Sequence, residues 1–192
     1  MLVKNTCGLL ALSKLDLVYL NKKLSYCRPQ ITDVEAVKEL IDAYSADGIT
    51  IPRSYNYLYQ NLRDFIVCKA GDEIAGCCSI HLVWEDLAEV KSLAIKKEFQ
   101  NRGIGARLVK KCVLDAKGFG AARIYALTKA PQFFEKLGFK RAAREDLPTK
   151  VWGECINCMR YYKCDETAVV LDLKPSAFSG HSLPIKLAAE NT

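Results

Sequence analysis

Ile95-Lys-Lys-Glu-Phe-Gln100-Asn-Arg-Gly103-Ile-Gly105-Ala106 is the stretch on which the fold turns. A run of β-formers, Ala88–Ile95, leads into it. An amphipathic helical pattern, Gly103–Lys117, leaves it, with Ile104, Leu108, Val109, Cys112 and Val113 on one face and Arg107, Lys110, Lys111 and Lys117 on the other. A strand therefore passes through a glycine-bearing turn into a helix N-terminus. The first amides of that helix have no partner within it and carry the positive end of its dipole. Glycines let such a backbone close around a phosphate, and Arg102 adds a cation able to pair with one. A plain tight turn would use the same glycines. The third glycine of a dinucleotide fingerprint and the Gly-Lys-Ser/Thr of a P-loop are both missing.

Outward from this turn the pattern is an alternation. Thr32-Asp33-Val34-Glu35 reads as a capping box, followed by Val34, Val37, Leu40, Ile41 and Tyr44 on one helical face, with a stop near Asp47-Gly48. Residues 54–63 form a second short helix. Asp64–Ala70 reads as a strand, Gly71-Asp72 as a turn and Ile74–Trp84 as a strand buried on both sides. Arg123–Thr128 is a further strand. Pro131–Leu137 is a short helix opened by its proline and stopped by Gly138, and Glu166–Leu173 is a closing strand. The expected architecture is α+β with α/β-type layering: a central sheet with helices on both faces.

Composition sets the outer limits. The 192 residues carry nine cysteines and a formal charge of +6, and no apolar run approaches the ~20 residues that span a bilayer. Residues 1–28 hold +4 of that charge, leaving the middle too mildly basic to argue for nucleic acid. An odd cysteine count with thiols inside apolar runs points to a reducing cytoplasm and not to a disulfide framework. Residues 1–23 read as a poorly ordered extension or an early start codon, since Ser13, Lys14 and Asp16 interrupt any export signal. Residues 24–174 form the domain, and 175–192 a flexible tail.

Gln100-x-x-Gly103-x-Gly105 after a strand resembles the acetyl-CoA pyrophosphate motif of the GNAT acetyltransferases. Pro131-Gln-Phe-Phe134-Glu-Lys-Leu-Gly-Phe139 resembles the short helix that family sets beside the pantetheine arm. The resemblance covers about residues 24–173 and implies a GNAT fold, with a mixed, mostly antiparallel twisted sheet. It implies cofactor contacts from the backbone of Leu93, Ala94 and Ile95, from Gln100 and Asn101, from the amides of Arg102, Gly103, Ile104, Gly105 and Ala106, and from Phe134. Ile80–Ile95, Ile51-Pro-Arg53-Ser54 with Leu62-Arg63-Asp64-Phe65, and Leu147–Trp152 with the cysteines after it resemble the short bacterial N-acetylglutamate synthases. The activity so implied is acetyl transfer from acetyl-CoA to the α-amine of L-glutamate, the first step of arginine biosynthesis.

The chemistry can be assigned to residue types. An acceptor ammonium must lose a proton before it attacks a thioester, and a carboxylate in the strand beside the cofactor suits that task. Glu89 is the candidate and matches the family's proposed base; an ordinary ion pair with Lys91 is the alternative. A strand amide near Leu93 could stabilise the oxyanion. Phe134 stands where many GNAT enzymes carry a tyrosine acid, which excludes that acid here. Thr128 is a candidate hydroxyl donor, or else caps the next turn. Two substrate carboxylates call for cations: Arg53 in the covering loop, then Lys150, with Ser92 as a further contact. His81 reads as a satisfied core histidine, and Trp84 and Trp152 as core or pocket wall.

Cys155-x-x-Cys158 with Cys164 supplies three soft ligands, either for a structural zinc whose fourth ligand is open or as three packed thiols. A small-molecule amino-acid substrate, no nucleic acid, no membrane and a homodimer complete the expectation. The rivals are a GNAT enzyme for another small amine or peptide amine, and a non-catalytic acyl-CoA-binding module.

Overall fold

The computed structural model of the protein describes residues 22–143, Leu147, Cys155 and 161–173. Its strands are β1 (Leu24–Cys27), β2 (Phe65–Ala70), β3 (Glu73–Trp84), β4 (Leu87–Ile95), β5 (Arg123–Thr128), β6 (Lys140–Ala142) and β7 (Thr167–Asp172). Its helices are α1 (Val34–Ala46), α2 (Tyr55–Gln60), α3 (Ile104–Gly118) and α4 (Pro131–Glu135). The seven strands form one sheet in the order β1-β2-β3-β4-β5-β7-β6. Every adjacent pair is antiparallel except β4 and β5, which the α3 crossover joins in parallel. The result is α+β, a mostly antiparallel mixed sheet with a helical layer on each face.

The alternation of β2 explains why both faces need cover. Ile66, Cys68 and Ala70 pack beneath α3 with Ile104, Leu108, Val109 and Cys112, while Phe65 and Val67 face α1 and α2 with Val37, Ile41 and Leu58. Burying one such Leu or Ile side chain contributes about 1.5–3 kcal/mol, so the amphipathic faces of α1 and α3 hold the layers together. Among the described residues, no helix is long and apolar enough to cross a membrane.

Two irregularities in β4 shape the space beside it. Its ladder with β5 runs only through Leu87↔Arg123, Ala88↔Ile124 and Glu89↔Tyr125. Beyond Glu89, β4 continues beside β3 alone and β5 beside β7 alone, so the two strands fork. The second irregularity is a bulge: Ser79 faces Lys91 but Cys77 faces Ala94, and the extra residue places Ser92 at φ +53°. The bulge exchanges the faces of the strand. Ala88 and Val90 join the α3-side core before it; Leu93 and Ile95 pack there after it, and Ala94 turns to the α1 side.

Several expectations need correction. The helix at residue 34 does not start with a Thr32–Glu35 capping box. A 3-10 turn over Ile31–Asp33 precedes it, the Gln30 amide donates to Asp33 at 2.8 Å, and Glu35 accepts from the Tyr55 hydroxyl at 2.7 Å. His81 is no core histidine: its ring lies half exposed, 3.4 Å from the Asp64 carboxylate. Trp84 is 38% exposed, because β3 runs past the end of the helical layers. The strands β1 and β6 were not foreseen. Lys150, Trp152, Cys158 and the expected tail lie outside the described residues.

Candidate active site

The fork between β4 and β5 opens into a cavity of about 680 Å³. On one side stands the turn from Gln100 to Ala106. Gly103 adopts φ +73° as the residue preceding α3, and the first bond of the helix runs from the Arg107 amide to the Gly103 carbonyl at 3.1 Å. The amides from Gly103 to Ala106 are thus left over by helix geometry, and these residues line the cavity. Phe133 of α4 lies over Gly105, where a Cβ would come within 3.3 Å of the ring. A smaller residue than alanine is what allows this approach. The cradle therefore suits a diphosphate, and its net positive end points into the cavity.

Behind the turn, Tyr44 of α1 plays a part that its apolar helical spacing concealed. Its hydroxyl donates to the Ile95 carbonyl at 2.6 Å, and Gln100 Nε2 donates to the same hydroxyl at 2.8 Å. The Ile95 amide also points at it, at 3.4 Å. Ala94 is buried in the α1-side core and does not line the cavity. Arg102 also stays off the wall, its guanidinium 5.4 Å from the centroid of the Phe99 ring. Phe134 lines the cavity from beneath, edge-on to Phe133 and Phe139 with centroids 5.1 and 5.2 Å away.

The charged wall is built on β4 and the loop before α2. Glu89 is the last β4 residue paired with β5, so it stands where the strands part. Lys91 comes two residues later on the same face, and its Nζ is 3.0 Å from Glu89 Oε2, with side chains only 7% and 15% exposed. Arg53 is 9% exposed and lays its guanidinium 4.6 Å from the centroid of the Tyr57 ring, held there by the Ser54 cap of α2. Ser92 at the bulge lines the same wall. Opposite, Thr128 Oγ1 accepts from the Ala130 amide at 3.0 Å, so the hydroxyl does cap the next turn while keeping a hydrogen to donate.

Of the expected cysteine trio, Cys155 and Cys164 line the cavity beside Glu166, and Cys158 lies outside the described residues. Among the described residues no group of three His, Cys, Asp or Glu side chains is placed to hold a metal. The two β3 cysteines are held as thiols: burial pushes Cys77 up to about 12, and the hydrogen bond with Cys112, whose Sγ lies 3.5 Å away, followed by burial, raises Cys78. Tyr44, Phe133, Glu166 and the cavity-facing position of Lys91 were missed as site residues. The spacing of Lys91 from Glu89 on a strand was the one signal available for any of them.

Comparison with known proteins meets this geometry. The acetyltransferase (GNAT) family matches residues 34–139. An uncharacterized N-acetyltransferase of Chlorobaculum tepidum is 35% identical over 144 residues, 75% of this chain and 93% of that protein. The amino-acid acetyltransferase of Mycobacterium tuberculosis is 29% identical over 136 residues, 67% of this chain and 78% of the relative. Among solved structures, N-acetylglutamate synthase from Neisseria gonorrhoeae, complexed with coenzyme A and N-acetyl-glutamate, superposes with a TM-score of 0.72. It is 24% identical, and the match covers 80% of this chain but only 36% of that one. At that identity the likeness is one of fold.

Proposed function

The chain belongs to the GNAT acetyltransferase family, and on that footing we propose that it transfers the acetyl group of acetyl-CoA to the α-amine of L-glutamate. That it is an acetyltransferase of GNAT fold follows from the family match; the acceptor is our reading. The observation that carries it is the position of Glu89 at the fork, with a helix N-terminus along the same cavity. The names of the amino-acid acetyltransferase relatives support the choice of acceptor.

In this reading the diphosphate rests on the amides from Gly103 to Ala106, and the pantetheine arm extends along the unpaired edge of β4 near Leu93. At Ile95 the arm meets the Tyr44 hydroxyl in place of open backbone. The acceptor ammonium gives its proton to the Glu89 carboxylate. The freed nitrogen lone pair forms the N–C bond at the acetyl carbonyl, and the oxyanion is held by a strand amide near Leu93. Collapse breaks the C–S bond, and coenzyme A leaves as its thiolate, which takes up the second proton, the one the attacking nitrogen sheds as it becomes the amide, with the Thr128 hydroxyl as hydrogen-bond donor to the sulfur. Arg53 holds an acceptor carboxylate, with Ser92 and Lys150 as further contacts. A place in arginine biosynthesis, in a reducing cytoplasm, belongs to the same proposal.

The test is a free-thiol assay of purified protein with acetyl-CoA, across the twenty amino acids and a set of peptide amines. Release of coenzyme A with glutamate above all others is the expected result. Release with peptide amines and none with glutamate would overturn the assignment.

A further inference from the structure

Lys91 has no task in that scheme, yet it occupies a position unfavourable to a cation. Taking an ammonium out of water costs several kcal/mol unless a counter-ion compensates it. Glu89, 3.0 Å away in the same cavity, is such a counter-ion. The arrangement creates a conflict, because the carboxylate that should receive the acceptor's proton is already engaged by a cation. An incoming amine alone would compete with Lys91 for Glu89 and return nothing to it. A free α-amino acid brings both signs on adjacent groups, an ammonium on the α-carbon and a carboxylate bonded to that same carbon. Its ammonium can take Glu89 while its α-carboxylate takes Lys91, so the resident ion pair is exchanged for two new ones of the same chemistry.

We propose that the Glu89–Lys91 pair is a zwitterion reader, and that Lys91 is the residue by which this enzyme selects free α-amino acids over amines lacking an α-carboxylate. This rests on the proposed function, with Glu89 as base. The bulge at Ser92 supports it geometrically. By exchanging the faces of β4 after Lys91, it ends the charged face at two residues, so the strand presents one carboxylate and one ammonium there before the apolar Leu93 and Ile95 turn to the α3-side core. Arg53 then remains for the acceptor's distal carboxylate.

The experiment compares kcat/KM for L-glutamate, for 4-aminobutyrate (glutamate without its α-carboxylate) and for L-norvaline (a methyl group in place of the distal one). It uses wild type, Lys91→Met and Lys91→Arg. In wild type glutamate is preferred over 4-aminobutyrate. Lys91→Met is expected to cut that preference about 10- to 100-fold, the worth of one charge-assisted hydrogen bond, and to leave the preference of glutamate over norvaline intact. Lys91→Arg, which keeps the cation, is expected to retain both preferences. Wild-type turnover of glutamate with an unchanged glutamate-to-4-aminobutyrate ratio in Lys91→Met overturns the inference and leaves the glutamate assignment standing. Equal loss in the Arg and Met variants overturns it as well, by marking a packing role. Wild-type turnover of peptide amines alone overturns the proposed function itself.

Discussion

The Tyr44 hydroxyl donates to the Ile95 carbonyl at 2.6 Å and accepts from the Gln100 side-chain amide at 2.8 Å. One phenol thereby fastens α1 both to the last residue of β4 and to the start of the glycine turn. Tyr44→Phe removes the fastening and keeps the ring. We expect the KM for acetyl-CoA to rise about three- to tenfold, with stability reduced by about 1 kcal/mol. Steady-state kinetics and thermal melting check this, and an unchanged KM would show that the turn is positioned without the brace.

In the proposed reaction the proton transfer falls to Glu89 at the fork. Glu89→Gln keeps shape and hydrogen bonding but cannot accept a proton. The expected outcome is a fall in kcat of about 10²- to 10⁴-fold, with coenzyme A affinity by calorimetry held within about twofold. Full activity in this variant would remove Glu89 from the chemistry.

Gly76 lies behind the open end of β4. A Cβ there would sit 2.6 Å from Ile95 Cδ1 and 3.1 Å from the Ala94 carbonyl oxygen. The first of these atoms can swing away; the second belongs to the backbone. Gly76→Ala should therefore cost about 1–3 kcal/mol, read as a lower denaturation midpoint, and should weaken acetyl-CoA binding because the displaced strand borders the cavity.

The thiols should separate by position. Cys27 is exposed, whereas Cys77, Cys78 and Cys112 are buried. Brief alkylation at neutral pH followed by mass spectrometry should label Cys27, with Cys77 and Cys78 reacting only on unfolding. Rapid labelling of Cys78 in the native protein would contradict the packing of β3 against α3.

Glu73 gives a pH dependence. Hydrogen bonding from Lys22 is the main cause of a carboxyl held below its ordinary 4.5, opposed by desolvation and aided by Lys96. A depressed folded-state value contributes stability that is fully present above the unfolded value and is lost as pH falls through the folded one. The melting-temperature gap between wild type and Glu73→Gln should accordingly be largest near neutrality and close below pH 4.5. A gap that widens on acidification would reverse the sign.

Local pattern carried most of this fold, and its failures have physical causes. The glycine turn and α3 were legible because capping geometry and helical period are properties of neighbours in sequence. The four-residue β1 and three-residue β6 were not, since so short a run has no period of its own and exists only by pairing with β2 and β7. His81 and Trp84 misled because the apolar run of β3 outlasts the helices that cover it, and its last four residues alternate between half-buried and exposed. Tyr44 fits the apolar face of α1, and its hydroxyl's partners lie across the fold at Ile95 and Gln100. Glu89 and Lys91 were readable as a pair from their spacing, but only the folded chain shows that the pair is buried enough to matter.

The early parting of β4 from β5 also governs the energetics of loading. Each strand stays paired on its outer side, β4 with β3 through the bulge and β5 with β7, so the gap is inherited from topology and not pried open by a guest. In the proposed binding mode, an extended thioester arm laid into it gains hydrogen bonds while rupturing none that secure the sheet. The protein settles the expense of leaving a strand edge unmet once, when it folds, and every later turnover begins with the berth already made.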